Sequence, residues 1–205
     1  GFFGALNAQT ITIGTGDEYS QSLPFDVEQY YYSATQQLYT ATELNKIEGY
    51  GVINNIAFKS ATANMNKSYI SIYMVNTSKT SFSGEDWINV TNNDKVFEGY
   101  LATTAIGEWC DVELSTPFVY TGGNVMVCVS TNAHVGVEPD KRDAFYTFMP
   151  ELTEGAPTLR VSSSDKIDPT TISDELKANA TPEASKNQIR FKAESSEDVI
   201  TNFES

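Results

Sequence analysis

The stretch Lys67–Asn76, KSYISIYMVN, decides the fold class because its side chains alternate between two kinds. Ile70, Ile72 and Met74 would lie on one side of an extended strand, and the two tyrosines with Ser71 on the other. Such a period of two is typical of a strand with one face on an apolar core. The stretch therefore predicts a β-strand in a packed sheet.

Comparable short runs recur along the chain and are separated by turn-forming residues. Ile56 and Phe58 share one face of another such run. In chain order the runs are QTITI, VEQYYY, GVINNIAFKS, KSYISIYMVN, DKVFEGYLA, WCDVEL, NVMVCVS, DAFYTFMP, PTLRVSS and NQIRFKA. About ten short strands, spaced roughly 10–15 residues apart, are typical of a sandwich or a barrel. We therefore predict one all-β domain.

The two ends of the chain differ from the region between them. The start, GFFGALNA, is apolar and then small, which is typical of the end of a signal peptide. We predict that residues 1–8 are a signal-peptide remnant, that 9–193 form a single β-sandwich domain and that 194–205 are a tail or linker. An ordinary N-terminal strand is the alternative. No segment reaches the roughly 18 apolar residues of a membrane helix, so we expect no membrane insertion.

The chain is strongly acidic, with 27 acidic and 13 basic residues and a formal net charge of −14. Such a surface repels phosphate backbones, so nucleic acid is an unfavourable partner, and anionic lipid is disfavoured for the same reason. Acidic loops suit calcium, whose ligands are carboxylate and carbonyl oxygens. The alternative is that the acidic residues keep a secreted protein soluble.

Two segments are expected to depart from strand structure. SGEDWI would form one helical turn, with Ser83 as its N-cap and Asp86 returning the capping contact. The segment Ser164–Lys186 has two prolines and no sustained apolar period. We predict that it is a long surface loop with a turn of helix at Ser173–Ala178, and loops of this length are usually functional or mobile.

The two cysteines lie in strand-like runs on either side of STPFVYTGG. If these runs pair as a hairpin centred near Val119, Cys110 and Cys128 would lie opposite each other. The TGG before Asn124 supplies two glycines for a tight hairpin turn. A disulfide is then one interpretation for an exported protein. Two buried free thiols are the other. Two cysteines and one histidine cannot complete a CxxC…CxxC zinc site.

No catalytic motif stands out in the sequence. The single histidine, His134, has no acidic residue at a spacing that would orient it, which argues against a catalytic triad. Nucleophile-elbow, zincin, Walker and dinucleotide-binding patterns are absent. Pairs of carboxylates such as Glu85 with Asp86 are expected by chance in so acidic a chain. We therefore predict that the protein is not an enzyme.

The candidate metal loop is VEPDKRDAF, which holds Glu138, Asp140 and Asp143. Carboxylates that are close together in a loop suit calcium, although this loop lacks the alternating ligands, central glycine and closing glutamate of an EF-hand. A structural Ca²⁺ ion at this loop is our only cofactor prediction, and a solvated acidic turn is the alternative. SDKIDP, with Asp165 and Asp168, is a second candidate.

Four aromatic side chains are candidates for ligand contact: Tyr31, Trp87, Tyr146 and Phe148. Planar rings stack on the apolar faces of sugars or fill pockets on a protein partner. Tyr31 is the middle residue of three consecutive tyrosines, which cannot all face one side of a strand. The triplet is either a binding platform or part of the packing of a sheet that is covered on both faces.

Seven motifs follow one another over roughly Leu23 to Lys192, most of the chain. They are SLPF, YYYSATQQLYTATEL, GVINNIAFKSAT, YISIYMVNTSKTSFSGEDWINV, KVFEGYLA, EWCDVELSTPFVYTGGNVMVCV and NQIRF. This order resembles a β-sandwich module of exported Bacteroidetes proteins. The module in turn resembles the cleaved-adhesin domains that accompany gingipain-type proteases.

The resemblance implies a fold and a general role. It implies export, adhesion or binding, no shared catalytic residues, and an all-β, jelly-roll-like β-sandwich, here of about ten short antiparallel strands. Such adhesin domains often carry structural calcium in their loops. The resemblance also implies that Tyr39 and Leu44 anchor a crossing loop, that Tyr31 or a neighbour faces a second layer, and that Trp87 pins a connector.

We predict a non-catalytic secreted or cell-surface module for adhesion or ligand binding, with a glycan or a host or other extracellular protein as its partner. VEPDKRDAF and Ser164–Lys186 are the favoured contact regions, because loops vary at little cost to the core. A structural spacer domain within a larger surface protein is the alternative. A hydrolase is the third interpretation.

Overall fold

The computed structural model describes residues 8–28, 31–45, 51–63, 65–102, 104–132 and 141–195. These residues form thirteen β-strands, one short α-helix and one 3₁₀ turn. The elements are β1 (Ala8–Ile13), β2 (Tyr19–Ser20), β3 (Tyr32–Tyr39), β4 (Gly51–Lys59), β5 (Tyr69–Thr77), the 3₁₀ turn (Asn92–Asp94), β6 (Lys95–Tyr100), β7 (Trp109–Tyr120), β8 (Asn124–Thr131), β9 (Phe145–Phe148), β10 (Thr158–Ser163), α1 (Asp174–Ala178), β11 (Thr181–Glu183), β12 (Lys186–Asn187) and β13 (Ile189–Ser195).

The strands form two main antiparallel sheets and a small third one. The four-stranded sheet has the order β1-β13-β4-β7, and the six-stranded sheet has the order β11-β10-β3-β8-β5-β6. The third sheet has the order β12-β9-β2. The chain crosses between the main sheets from β3 to β4, from β4 to β5, from β6 to β7 and from β7 to β8, as in a jelly roll. The predicted all-β sandwich is therefore confirmed, and the strands beyond the predicted ten include three of only two or three residues.

The main core lies between the two large sheets. From β5, Ile70, Ile72 and Met74 face this core, as their alternation predicted. Ile56 and Phe58 of β4 face it from the four-stranded sheet. The apolar positions at every second residue therefore lie on the inner face of each sheet, where their burial stabilises the sandwich.

The six-stranded sheet is buried on its outer face as well. Alternate residues of β8 face two different clusters of buried side chains. Val127 faces the main core, whereas Met126 and Cys128 belong to a second cluster on the outer side of the sheet, which we call the outer cluster. Tyr73 of β5 and Leu159 of β10 belong to the same outer cluster. The central strands of this sheet are thus covered on both faces, and most of their side chains serve packing.

The segment Ser164–Lys186 provides much of this outer cover. Ile167, Ile172 and Leu176 pack on the outer cluster, and β11 pairs with β10. The predicted turn of helix is confirmed as α1, whose N-cap Ser173 accepts a hydrogen bond from the Leu176 amide. The segment is therefore a packed cover rather than a free surface loop.

The first tyrosine-rich strand begins later than the sequence suggested. VEQYYY was expected to be a strand, but β3 spans Tyr32–Tyr39, and Gln29 and Tyr30 lie outside the described residues. Because β3 is buried on both faces and carries many polar residues, it lacks the apolar alternation that marks β5. Tyr39 and Leu44 are both fully buried in the main core, in agreement with the anchoring role that the family resemblance implied.

The predicted hairpin around Val119 is wrong. β7 pairs with β4 and β8 pairs with β3 and β5, so the chain arches from one sheet to the other at Thr121–Asn124. Gly122 supplies the positive φ of this turn, at 93°. Cys110 consequently faces the main core and Cys128 the outer cluster, and both are buried free thiols rather than a disulfide.

The predicted helical turn at SGEDWI is also wrong, although its capping contact forms. The Asp86 carboxylate accepts hydrogen bonds from the amides of Ser83 and Gly84 at 2.9 and 3.2 Å. Gly84 has a φ of 132°, which no right-handed helix accommodates. Burial works to raise the pKa of Asp86, but the Lys79 ammonium at 2.7 Å and these amides hold it below its usual value.

The predicted domain limits lie close to the ends of the terminal strands. Ala8 of β1 pairs with Glu194 of β13, and Ser195 of β13 pairs with Gly51 of β4, so the sheet begins one residue before 9–193 and ends two residues after it. Residues 1–7 and 196–205 lie outside the described residues. Within the described part of the chain, no helix has the length and apolar character of a membrane span.

Candidate ligand-binding groove

A polar groove opens on the outer face of the six-stranded sheet, where the Ser164–Lys186 segment ceases to cover β5 and β6. Its volume is about 310 Å³. We call it the outer groove, and its lining residues are Ser71, Tyr73, Asn92, Lys95, Glu98, Asn132, Lys166, Ile167, Asp168 and Pro169. One wall belongs to the Ser164–Lys186 segment, which the sequence had favoured for ligand contact.

The floor of the outer groove is a fixed hydrogen-bond network. Ser71 and Glu98 are direct partners across β5 and β6, and the Ser71 hydroxyl donates to the Glu98 Oε1 at 3.2 Å. The amide nitrogen of Asn132 donates to both, at 2.6 Å to the Ser71 Oγ and 3.1 Å to the Glu98 Oε1. Rigid strands thus hold these polar groups, which reduces the entropy lost on binding a ligand.

Tyr73 forms the inner end of the groove and is only 3% exposed. The Lys95 ammonium lies 5.9 Å from the centroid of its ring and 3.6 Å from the Glu98 Oε1. Burial, followed by the negative charges of Asp168, Cys128 and Glu98, raises the pKa of Tyr73 to about 12. The phenol is therefore a neutral hydroxyl at physiological pH.

The rim of the groove offers polar groups that the fold does not use. Within the described residues, the side-chain amide of Asn92 and the ammonium group of Lys166 make no hydrogen bond. Asp168 uses Oδ1 to accept from the Thr170 amide and hydroxyl, at 2.9 and 2.8 Å. Two lysines and two carboxylates line the groove, so it is electrically balanced in a chain whose net charge is −14. Donors and acceptors of both kinds are therefore available to a polar ligand.

The structure does not bring the four predicted aromatic residues together. Trp87 is 7% exposed and packs in the outer cluster. Its connector is held by Gln36 of β3, whose side-chain amide bonds to the Ile88 carbonyl at 2.7 Å and accepts from the Ile88 amide at 2.8 Å. This position matches the connector-pinning role that the resemblance implied, and it leaves little of the ring for a ligand.

Tyr146 and Phe148 both lie on β9 of the small sheet. Phe148 packs against the main core, and its ring also lies 5.4 Å from the Lys186 ammonium. Tyr146 is partly exposed and faces Tyr19 across the strand pair, with the Lys59 ammonium 5.3 Å from its ring. A role in binding stays a prediction for Tyr146 and Phe148.

Tyr31 is 48% exposed and lies just before β3. It borders a separate hollow of about 240 Å³ together with Glu28, Tyr32 and Arg160. Its neighbour Tyr32 packs on the outer cluster, in line with the implied second layer. The exposed ring of Tyr31 stays a candidate for ligand contact.

The candidate metal loop is described only in part. Glu138 and Asp140 lie outside the described residues. Asp143 is buried, and its Oδ1 accepts hydrogen bonds from the amide and the side chain of Asn66, each at 2.9 Å. Burial raises the pKa of Asp143, against the lowering effect of these hydrogen bonds. Within the described residues no cluster of three metal-ligating side chains occurs, and calcium stays a prediction.

A larger depression of about 520 Å³ lies between residues 80–83 and 151–155. Hydroxyl groups, Leu152 and the carboxylates of Glu151 and Glu154 line it, without a cationic side chain in the lining. The outer groove is the better candidate because it combines donors and acceptors of both charges on rigid strands. A specific polar ligand needs a few such groups in fixed positions.

One wall of the outer groove was predictable from the sequence, but its floor was not. The alternation in KSYISIYMVN already placed Ser71 opposite the core, which was the available signal. Glu98 and Asn132 could not be added, because their contact depends on which strands flank β5.

Comparisons with known proteins give little further guidance. No family model matches the chain, and no curated protein matches it significantly. One similar structure holds the cysteine protease and lectin-like domains of Cwp84, a surface layer associated protein of Clostridium difficile. It is 10% identical, with a TM-score of 0.38 over 80% of this chain and 32% of that chain.

A second similar structure is a clostridial Cwp84 cysteine protease after propeptide cleavage, in a Cys-to-Ala form. It is also 10% identical, with a TM-score of 0.38 over 80% of this chain and 36% of that chain. The chain thus spans about a third of the length of both structures. A likeness this distant assigns no function, and the resemblance to cleaved-adhesin domains stays a prediction.

Proposed function

We propose that this chain is a non-catalytic, exported or cell-surface module that binds a saccharide in the outer groove. The observation that carries the proposal is the pairing of a rigid Ser71–Glu98–Asn132 floor with the unused polar groups of Asn92 and Lys166 on the rim. Sugar hydroxyls both donate and accept hydrogen bonds, so they match a groove that offers amides, carboxylates and ammonium groups together.

The charge of the groove supports the same ligand class. A nucleic acid or a strongly anionic polymer would meet a net charge of −14 on the chain as a whole. A neutral, hydroxyl-rich ligand avoids this repulsion. The two lysines balance Glu98 and Asp168, so no large charge is buried when such a ligand binds.

A glycan array followed by calorimetry tests the proposal. We expect saturable binding, and we expect the double variant Asn92→Ala, Lys166→Ala to weaken it at least roughly tenfold, since one of the lost hydrogen bonds is charge-assisted. Both side chains lie on the exposed rim without hydrogen bonds among the described residues, so the variant should keep its melting temperature. Asn93→Ala is the matched control, because Asn93 lies in the same 3₁₀ turn outside the groove lining.

The spacer interpretation gives the opposite result. No binding to any glycan on the array would favour a structural spacer. An equal loss of affinity in the Asn93→Ala control would show that the glycan does not bind in the outer groove. Turnover of a bound glycan that is abolished by Glu98→Gln would instead make the protein a hydrolase.

A further inference from the structure

Beyond Ser71 and Glu98, an aromatic pair lies on the same outer face of β5 and β6 as the outer groove. Tyr69 and Tyr100 are direct partners across these strands, two residues beyond the pair formed by Ser71 and Glu98. Because side chains on a strand alternate, both pairs lie on the outer face. The contact between the two rings confirms this placement, with centroids 4.9 Å apart and planes at 79°.

Tyr100 is the open member of the pair. Its side chain is 57% exposed, whereas Tyr69 is partly buried and supports it edge to face. The Lys67 ammonium lies 4.5 Å from the centroid of the Tyr100 ring. We call these three residues the tyrosine platform. The Tyr100 ring is open to solvent, so it is available for contact with a ligand.

The groove and the platform form one track with two kinds of chemistry. Tyr69, Ser71 and Tyr73 occupy alternate positions of β5, so the track is roughly 13 Å long at about 3.3 Å per residue. One end presents hydrogen-bonding groups, and the other presents an aromatic ring. A sugar ring has a rim of hydroxyls and an apolar face of C–H groups, and these suit the two ends respectively. One sugar ring is too short to reach both ends.

We infer that the ligand of the outer groove is a saccharide chain of several units, which lies along β5 and stacks one unit on Tyr100. This inference rests on the proposed function and adds the length and direction of the ligand. The chain gains affinity at the platform without new cost of association, because its first unit is already held in the groove. Affinity should therefore rise with the number of sugar units.

Calorimetry with size-graded oligomers of glucose and of mannose, from one to six units, tests the inference. We expect the dissociation constant to fall at least tenfold between one and four units. Tyr100→Ala should remove this gain and leave binding of the single sugar unchanged. Tyr100→Phe keeps the ring and should keep the gain within threefold. Tyr19→Ala removes a ring on β2 that is 65% exposed, and it should have no effect.

The outcomes separate the inference from the proposed function. Binding that does not change with length, or a Tyr100→Ala loss that is equal at every length, overturns the inference and leaves a saccharide site in the groove. If neither these oligomers nor the array glycans bind, both fail. Melting curves of the Tyr100 variants exclude misfolding as a cause, since an exposed edge-strand residue should leave the core intact.

Discussion

β3 and β5 flank β8 in the same six-stranded sheet, yet they are held in place by different interactions. β5 presents only apolar side chains to the main core, among them Ile70 and Ile72. β3 buries a nearly continuous run of polar residues, including Thr35, Gln36 and Gln37. Buried polar groups cost free energy unless they are hydrogen-bonded, so β3 depends on partners that β5 does not need.

The partners of β3 come from distant parts of the chain. The Gln37 side chain donates to the Asn187 Oδ1 at 2.8 Å and accepts from the Asn187 amide at 2.6 Å. The Lys186 ammonium donates to the Leu38 carbonyl at 2.8 Å and to the Glu43 carboxylate at 2.6 Å. β3 is therefore anchored through both of its faces, whereas the outer face of β5 lies partly under the cover and partly in the outer groove.

The first prediction concerns the apolar face of β5. Ile72→Ala should lower the free energy of unfolding by about 2–5 kcal/mol, through lost apolar burial and the cavity that remains. Ile106→Ala removes the same atoms from a side chain that is 56% exposed and should cost far less. Denaturant unfolding of both variants makes the measurement, and equal losses would contradict the core placement of β5.

The second prediction concerns the polar face of β3. Gln37→Ala should lower the free energy of unfolding by about 2–3 kcal/mol, because it leaves the backbone N–H and the side-chain Oδ1 of Asn187 buried without their Gln37 partners. The double variant Gln37→Ala, Asn187→Ala tests whether these two side chains stabilise β3 as one unit. Its loss should be smaller than the sum of the two single losses, since the two side chains act as one unit.

Gln21→Ala is the control for these measurements, since Gln21 is partly exposed and lies outside this network. A loss below about 0.5 kcal/mol is expected for it, as for most surface changes. Strict additivity of Gln37→Ala and Asn187→Ala would show that the network is not what holds β3.

The same contrast explains which strands could be predicted from sequence. The apolar alternation of β5 is a local pattern, and it is enough to identify the inner face of that strand. β3 gives no such signal, because its burial depends on hydrogen bonds to Asn187 and Ile88, which are far away in sequence. The arch between β7 and β8 resembles a hairpin in sequence, since a glycine with positive φ serves both kinds of turn.

The outer groove was predictable only in part for a similar reason. Ser71 and the Ser164–Lys186 segment were marked by alternation and by loop composition. The contribution of Glu98, Asn132 and Tyr100 depends on strand register, which local sequence does not determine. A site built across three strands therefore appears only when the sheet order is known.

The third prediction concerns Cys128 of β8, the strand that lies between β3 and β5. Cys128 of β8 is the direct partner of both Gln36 on β3 and Tyr73 on β5. Burial raises the pKa of the Cys128 thiol from 9.0 to about 12, against a lowering effect of Gln36. The folded protein therefore keeps this proton between pH 9 and 12, whereas the unfolded chain releases it.

Unfolding therefore releases a proton in this range, so the stabilising contribution is complete below pH 9 and is lost as the pH rises towards 12. Release of this one proton should lower the free energy of unfolding by about 1.4 kcal/mol for each pH unit in this window. Cys128→Ala should make the dependence shallower by that amount, measured by denaturant unfolding at pH 8 to 11 under reducing conditions. Val127→Ala should change the stability of the same strand and keep the wild-type slope. Parallel curves for Cys128→Ala and the wild type would mean that water reaches the thiol, which would contradict the burial of Cys128 in the outer cluster.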